Sequence, residues 1–401
     1  MTQDPPAFEY EEIDFVTGQP YAQWEQARLR CPVFETAGAS MGVVGRPMFQ
    51  VTRWDDVERV LRDAETFSSS INNEHMRPYM GELILGMDGQ EHRAYRNLVA
   101  QAFRASQLER WDEAVIRPSI KMCVDDVAPL GKAELVRDIT KRYPVRVICA
   151  IVGVPVEDSL QFHEWSEQIN GGPMHPEEGL AASRAMRAYL EPLVEARRGE
   201  PRDDLLSDLV HAEVDGEKLN DERLYGFLRL LLPAGAETTF RAMGNALTAL
   251  LMAPEIMERV RANRELVPAL IEETLRWETS VTQVSRVAAT DTVVAGCPIP
   301  AGAAVAVVVG SADRDESRYE RSAEFDLDRS AQTHLAFGTG PHQCLGMHLA
   351  RLELRVGLNA ILDGLPNLRF DPDAEPPVIE GLAFRGPCAL PVVFDAAATG
   401  S

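Results

Sequence analysis

The chain has no apolar run long enough to cross a bilayer. The longest, Ala303 to Val309, falls far short of the roughly 20 residues that a spanning helix needs. It also has no basic, apolar leader: Met1-Thr2-Gln3-Asp4-Pro5-Pro6 offers neither feature, so no secretory signal is expected and the cytoplasm is. Cysteines are few, six in 401 residues (31, 123, 149, 297, 344 and 388), and none has CxxC spacing. That scatter excludes a disulfide framework and reads as reduced thiols. Basic residues are in deficit, with 40 Lys and Arg against 62 acidic residues, a net charge of −22. The deficit excludes a nucleic-acid binder, which needs a basic footprint to displace counterions. It equally excludes electrostatic attachment to an anionic membrane. Internal repeats and the strand–helix alternation of a doubly wound sheet are missing too.

What is there is a chain with 45% hydrophobic and 25% charged residues, long enough to bury a large core. Helical patterning dominates. Strand signals are confined to Pro47–Thr52, Val293–Ala295 and Ala303–Val309, the last two flanking a turn-rich Gly296 to Gly302 and expected to form one small hairpin or sheet. The expected fold class is mainly α with small β-sheets, in a single large domain over residues 21–395, with 1–20 and 396–401 as loose ends.

One helix is expected to run from about Asp221 to Met252, stopping only at Pro254. Its first half (Leu224, Phe227, Leu228, Leu230, Leu231, Leu232) is apolar nearly all round and should be buried. Pro233 and Gly235 are expected to break it in the middle. Glu237, Thr238 and Thr239 follow directly, and a carboxylate and two hydroxyls inside a buried helix cost free energy unless something uses them. A threonine bonding back to a carbonyl and a glutamate snorkelling outwards would explain an isolated pair. Beside Pro233 and Gly235 the functional reading is favoured.

The densest chemical signal is Phe337-Gly338-Thr339-Gly340-Pro341-His342-Gln343-Cys344-Leu345-Gly346. Two glycines and a proline enforce an irregular loop in which backbone can approach a flat ligand. Cys344 ends the loop, and a helix is expected directly after it with Leu345, Leu349, Leu352 and Val356 on one face. A helix N-terminus favours thiolate over thiol, and such a thiolate suits an axial position on haem iron. Other readings compete. A helix cysteine is often a small buried hydrophobe. Gly338-Thr339-Gly340 resembles the start of a dinucleotide loop, but Gln343 stands at the third glycine position. His342, Cys344 and His348 are three conceivable zinc ligands, but zinc would not explain the glycines.

The segment Phe337 to Gly346 resembles the haem-binding loop of the cytochrome P-450 family at every fixed position, and the likeness extends from about Trp24 to Phe394, in the soluble bacterial form without a membrane anchor. It implies the family's mostly helical fold, one haem b between the central helix and the helix after the cysteine, and Cys344 as proximal iron ligand. Ala234-Gly235-Ala236-Glu237-Thr238-Thr239 resembles the oxygen-activation motif, which assigns proton delivery to Glu237 and Thr238. Glu273-Thr274-Leu275-Arg276 resembles the family's Glu-x-x-Arg helix, and Arg329 the arginine completing that structural network. Without the resemblance, Arg276 reads as an exposed i,i+4 partner of Glu272. His92 and Arg96, Arg286, and His342 match positions that hold the haem propionates, a task suited to cations with several donors.

The resemblance further implies a monooxygenase. Dioxygen is reduced by two electrons with two protons relayed near Thr238 and Glu237, and one oxygen atom enters the substrate. With no flavin or iron–sulfur domain visible, the electrons are expected from a separate ferredoxin and ferredoxin reductase, docking where Arg93, Arg96, Arg104, His348, Arg351 and Arg355 concentrate positive charge. By position, Ile71–Met80, Ile169 and Asn170, Val281–Val284 and Leu382–Phe384 should line the pocket. Their mixture of apolar side chains with Asn72, Asn73, Thr282 and Gln283 points to a mid-sized apolar molecule carrying a few oxygens, such as a steroid, terpenoid or polyketide. Two departures stand out: no proline at Thr279–Val281, where the family often has one, and Pro233 just before the Ala-Gly pair. The alternatives are a peroxide-driven peroxygenase of the same fold, against which Glu237-Thr238 argues, and a non-catalytic haem-based sensor.

Overall fold

The organising element is one helix, Asp221–Met252. Asn220 caps its start, the side chain accepting the Arg223 N–H, and Asp221 and Glu222 complement the positive end of the dipole. It ends at Ala253, as expected of a residue before proline. Thirty-two residues give a rod of about 48 Å. Pro233 and Gly235 do not break it. Pro233 removes only one rung of the ladder, and the Gly235 position is a point of close contact: a Cβ there would stand 2.7 Å from Ile148 on the helix Arg142–Val152. The rod is buried nearly all round. In its middle, exposure returns along Leu231, Ala234, Thr238 and Arg241, a three- and four-residue spacing that makes one face.

The structure is a computed structural model describing residues 10–36, 45–100, 103–214 and 216–397. It is mainly α, with the helices Ser159–Asn170 and Pro176–Gly199 joined through Gly171-Gly172-Pro173, and with Val267–Trp277 and Met347–Gly364 set against the central rod. Apolar side chains from all of these helices merge into one large core. No helix among the described residues is long and apolar enough to cross a membrane.

The β structure differs in one respect from the sequence pattern. Thr292–Val294 pairs with Cys297–Ile299, turning through Ala295 (φ 47°) and Gly296 (φ 80°), so the turn-rich segment itself supplies the second strand. Positive φ at both central residues is the tight hairpin turn that matches strand twist. Ala304–Val307 goes elsewhere. It is the middle strand of a five-stranded sheet, parallel to Met48–Val51 and antiparallel to Val284–Ala288, with Val33–Thr36 and Phe67–Ser68 outside these. That register sets Arg286 opposite Val305.

The expectation of a loose leading segment does not hold for residues 10–20. The Phe15 carbonyl accepts the Leu382 N–H at 2.9 Å, buried Arg385 donates to the Gly18 carbonyl at 3.0 Å, and Ile13 packs with Trp24, Val308 and Leu382. At the other end, Ala397 donates to the Ala128 carbonyl at 2.9 Å. Residues 1–9 and 398–401 lie outside the described residues.

Candidate functional site

The cysteine loop is built by backbone. Gly338 (φ 64°) and Gly340 (φ 74°) take the left-handed conformations that other residues resist. The Gly338 N–H returns to the Leu335 carbonyl at 2.7 Å, and the Cys344 N–H reaches the Phe337 carbonyl at 2.8 Å. The helix after the loop begins at Met347, three residues beyond Cys344, so Leu345 precedes it rather than opening its apolar face. Cys344 is exposed, yet the chain around it is dense enough that burial pushes the thiol up. The Gly346 N–H and the charges of Arg96 and Arg351 pull against that shift without overcoming it. The helix terminus alone therefore does not make the thiolate, because the helix starts too late. A bound cation would supply what is missing.

Four nitrogen-bearing side chains from three elements meet beside the loop. His92 and Arg96 come from the helix Gly89–Ala100, Arg286 from the strand Val284–Ala288, and His342 from the loop itself. The His92 and His342 rings lie 4.0 Å apart. His342 Nε2 is 3.0 Å from Ser69 Oγ and 3.6 Å from an Asp88 oxygen. Burial pushes the Asp88 carboxyl up, but bonds from His342, Ser68 and Ser69 outweigh it and hold the group below its ordinary value. Burial, reinforced by the charges of His342 and Arg96, drops the His92 imidazole to about 4. Arg96 donates to the Gln343 carbonyl, next to Cys344. Arg286 is 5% exposed and pushed down to about 10 by burial, with Asp88 opposing. It donates to the Ser285 carbonyl, and among the described residues no carboxylate pairs with it. A buried, uncompensated guanidinium is costly. Together with the exposed sulfur of Cys344, this donor set fits an iron porphyrin carrying carboxylates. It does not fit zinc: among the described residues no cluster of three or more His, Cys, Asp and Glu is placed to hold a metal ion, and His342 is turned to Ser69.

On the central helix, the Thr238 hydroxyl donates to the Ala234 carbonyl at 3.1 Å. Glu237 is buried but neither orphaned nor snorkelling. Arg241, one turn on, donates to its Oε1 through Nε and Nη2, at 3.1 and 2.7 Å. Arg241 also reaches the Phe384 carbonyl at 3.4 Å. The i,i+4 spacing of Glu237 and Arg241 was the available signal for this pair.

Glu273 is the hub of a buried network. It accepts two bonds from Arg276 at 2.8 and 2.7 Å, two from Arg329 at 3.1 and 3.2 Å, and the Asp326 N–H at 2.8 Å. The Arg276 partner is Glu273 rather than Glu272. Arg276 also donates to the Asp313, Ser322 and Glu324 carbonyls. Asp313 carries the link to the loop, since its side chain accepts the Leu335 N–H at 2.7 Å. Sequence reading missed Asp313 and His334 and the pairing of Glu272 with Arg351, because their partners are remote in sequence.

Several polar residues placed in the pocket wall are already engaged by backbone. Asn72 donates to the Ser69 and Leu85 carbonyls, Asn73 exchanges two bonds with Leu83, and the Thr282 hydroxyl donates to the Leu382 carbonyl. The wall segments around Val281 and Phe384 meet in an antiparallel bridge. Of the expected docking cations, Arg93, Arg104, His348 and Arg355 are exposed. Arg96 and Arg351 are spent on the Gln343 carbonyl and on Glu272.

Comparison with known proteins adds to this geometry. A family model described as cytochrome P-450 matches residues 175–382. The chain is similar to the mycinamicin IV hydroxylase/epoxidase of Micromonospora griseorubida, 35% identical over 363 residues that make up 87% of this chain and 90% of the relative. Among solved structures it is similar to CYP109E1 of Bacillus megaterium in complex with testosterone, with a TM-score of 0.84 and 31% identity over 94% of this chain and 99% of that one. It is likewise similar to the bacillaene polyketide synthase cytochrome PksS of Bacillus subtilis 168, with a TM-score of 0.85 and 30% identity over 94% of this chain and 97% of that one.

Proposed function

The chain belongs to the cytochrome P-450 family of haem-thiolate monooxygenases, and from that premise we propose that it oxygenates a mid-sized, largely apolar molecule of the polyketide or steroid kind, with Cys344 as the iron ligand and electrons from a separate ferredoxin and its reductase. The observation that carries the site assignment is the meeting of His92, Arg96 and His342 at the loop of exposed Cys344, with Arg286 buried and, among the described residues, unpaired with any carboxylate. The substrate class is supported by the backbone engagement of Asn72, Asn73 and Thr282, which leaves the apolar members of those segments to make contact. It is also supported by the mycinamicin IV and the testosterone named for the relatives.

When bound, thiolate-held haem supplies dioxygen activation. The chain contributes position and protons. Arg286, His92, Arg96 and His342 would hold the propionates, and Cys344 would hold the iron. Thr238 spends its hydroxyl proton on the Ala234 carbonyl, which leaves its oxygen lone pairs to accept from water on the exposed face of the helix. Both Arg241 bonds fall on Glu237 Oε1, so Oε2 is the atom available to hold and pass a proton.

The test is optical. Holoprotein reduced under carbon monoxide should show the thiolate-type band, and a ligand panel of macrolides and steroids should contain a compound that shifts the Soret band to the high-spin form. Turnover of that compound should require ferredoxin and reductase. A histidine-type carbonyl spectrum would overturn the ligand assignment, and conversion driven by peroxide alone would overturn the electron route.

A further inference from the structure

Two adjacent glutamates on the helix Val267–Trp277 serve different networks. Glu273 holds Arg276 and Arg329. Glu272, about 100° round the helix, turns to the cysteine loop. Its carboxylate receives Arg351 in a two-point contact, Nε to Oε1 and Nη2 to Oε2, each 2.7 Å. Its Oε2 also lies 3.1 Å from Nε2 of His334. His334 Nδ1 accepts the Ala336 N–H at 3.2 Å, which assigns the ring proton to Nε2, facing Glu272. Burial pushes the Glu272 carboxyl up, but Arg351 and His334 outweigh it and hold it at about 2. One carboxylate thus joins its own helix, the entry to the loop, and the helix Met347–Gly364.

Arg351 carries this junction to the ligand. Its guanidinium carbon lies 4.5 Å from the centroid of the Phe337 ring, within cation–π range. The Phe337 carbonyl is the acceptor for the Cys344 N–H. Arg351 is also one of the two charges acting on the Cys344 sulfur. The other, Arg96, has no carboxylate against it among the described residues, whereas Arg351 has Glu272.

We propose that Glu272 and Arg351 are positioning residues that set the charge felt by the Cys344 sulfur, Arg351 supplying a cation on the proximal side and Glu272 both seating it over Phe337 and offsetting it. The inference rests on Cys344 being the iron ligand. Reduction of the iron adds one negative charge, so an uncompensated nearby cation favours the reduced form and its loss favours the oxidised form. The two residues should therefore act with opposite sign, which simple bracing would not produce.

The experiment is a spectroelectrochemical titration of substrate-free holoprotein for the parent, Glu272→Gln, Arg351→Gln, the double variant and Glu272→Asp, each first checked for the thiolate-type carbonyl band. At the parent's midpoint, Glu272→Gln should raise the ferrous to ferric ratio several-fold, and Arg351→Gln should lower it several-fold. The double variant should return close to the parent, and Glu272→Asp should stay with it. Shifts of the same sign in the two single variants, or none in either, would overturn the proposal. If Glu272→Gln does not hold haem, the decision falls to Arg351→Gln and the double variant: a downward shift that the double variant reverses supports the proposal, and any other pattern overturns it. A parent without the thiolate-type band would instead strike at the ligand assignment, so the two failures are told apart.

Discussion

Thr238 is half committed: its proton goes to the Ala234 carbonyl, and its oxygen stays on the exposed face of the central helix. Thr238→Ala removes an acceptor without opening a polar hole, since the helix keeps its own backbone bonds. Haem content and ligand binding should therefore persist. Product formed per NAD(P)H should fall several-fold or more, with peroxide taking up the lost electrons, because a positioned proton-transfer group is worth about 10²–10⁴-fold in the step it serves. Unchanged coupling would count against the role. Asp313 offers a second residue-scale test. Burial raises its carboxyl to about 7, against the partial relief of His334, the Leu335 N–H, Arg276 and Arg318. The native state therefore binds this proton more tightly than the unfolded chain does. The resulting stabilisation is complete below about pH 4 and is lost as pH rises through 7. Asp313→Asn keeps the acceptor for Leu335 and cannot ionise, so it should flatten the fall in melting temperature between pH 5 and 8 and be the more stable form at pH 8. Identical pH profiles for parent and variant would refute the assignment. What the sequence disclosed at this scale were residues whose type and local spacing are special: Cys344, the glycines of its loop, and the acid–hydroxyl pair. What it hid were pairings closed by the fold, such as His342 with Ser69 across 273 residues and Glu272 with Arg351 across 79.

Elements were legible where one period ran for a long distance. The rod Asp221–Met252 was legible from its apolar circumference and the proline after it. Its continuity through Pro233 and Gly235 was not legible, because the reason lies on another helix. Gly235 is small so that Ile148 can approach, and a Cβ there would stand at 2.7 Å. Gly235→Val should therefore cost about 1–3 kcal/mol by overpacking, read as a lower urea midpoint. Ile148→Ala, which is destabilising alone, should recover part of that loss in the double variant, a coupling expected only of touching residues. Additive losses would mean that Gly235 is not held by this contact. The short strands were harder for the same reason. Thr292–Val294 and Ala304–Val307 are close in sequence, but their partners are chosen by a two-residue turn in one case and by the distant strand Met48–Val51 in the other.

At the scale of the whole molecule the charge is adverse to an acidic electron donor: −22 overall. Steering nevertheless responds to the local field over about a Debye length, roughly 8–10 Å in ordinary buffers. On the cysteine side, Arg93, Arg104, His348 and Arg355 are exposed, and among the described residues no carboxylate pairs with any of the four. Arg351 contributes less there than its sequence position implies, because Glu272 neutralises it in a two-point contact. Charge reversal should separate the two kinds of arginine. Arg355→Glu should slow association with an acidic ferredoxin several-fold at low ionic strength, lose most of that effect at high salt, and leave the reduction potential where it was. Arg351→Gln leaves Glu272 without its arginine and should move the potential, whereas adding Glu272→Gln, which restores the local net charge, should return both the potential and the salt dependence of association to the parent's. Stopped-flow reduction across a salt series, run beside the potential titration, reads both quantities on the same samples. An Arg355→Glu rate indistinguishable from the parent at low salt would remove this face as the docking surface, because a free surface cation facing an acidic partner has no other way to go unnoticed.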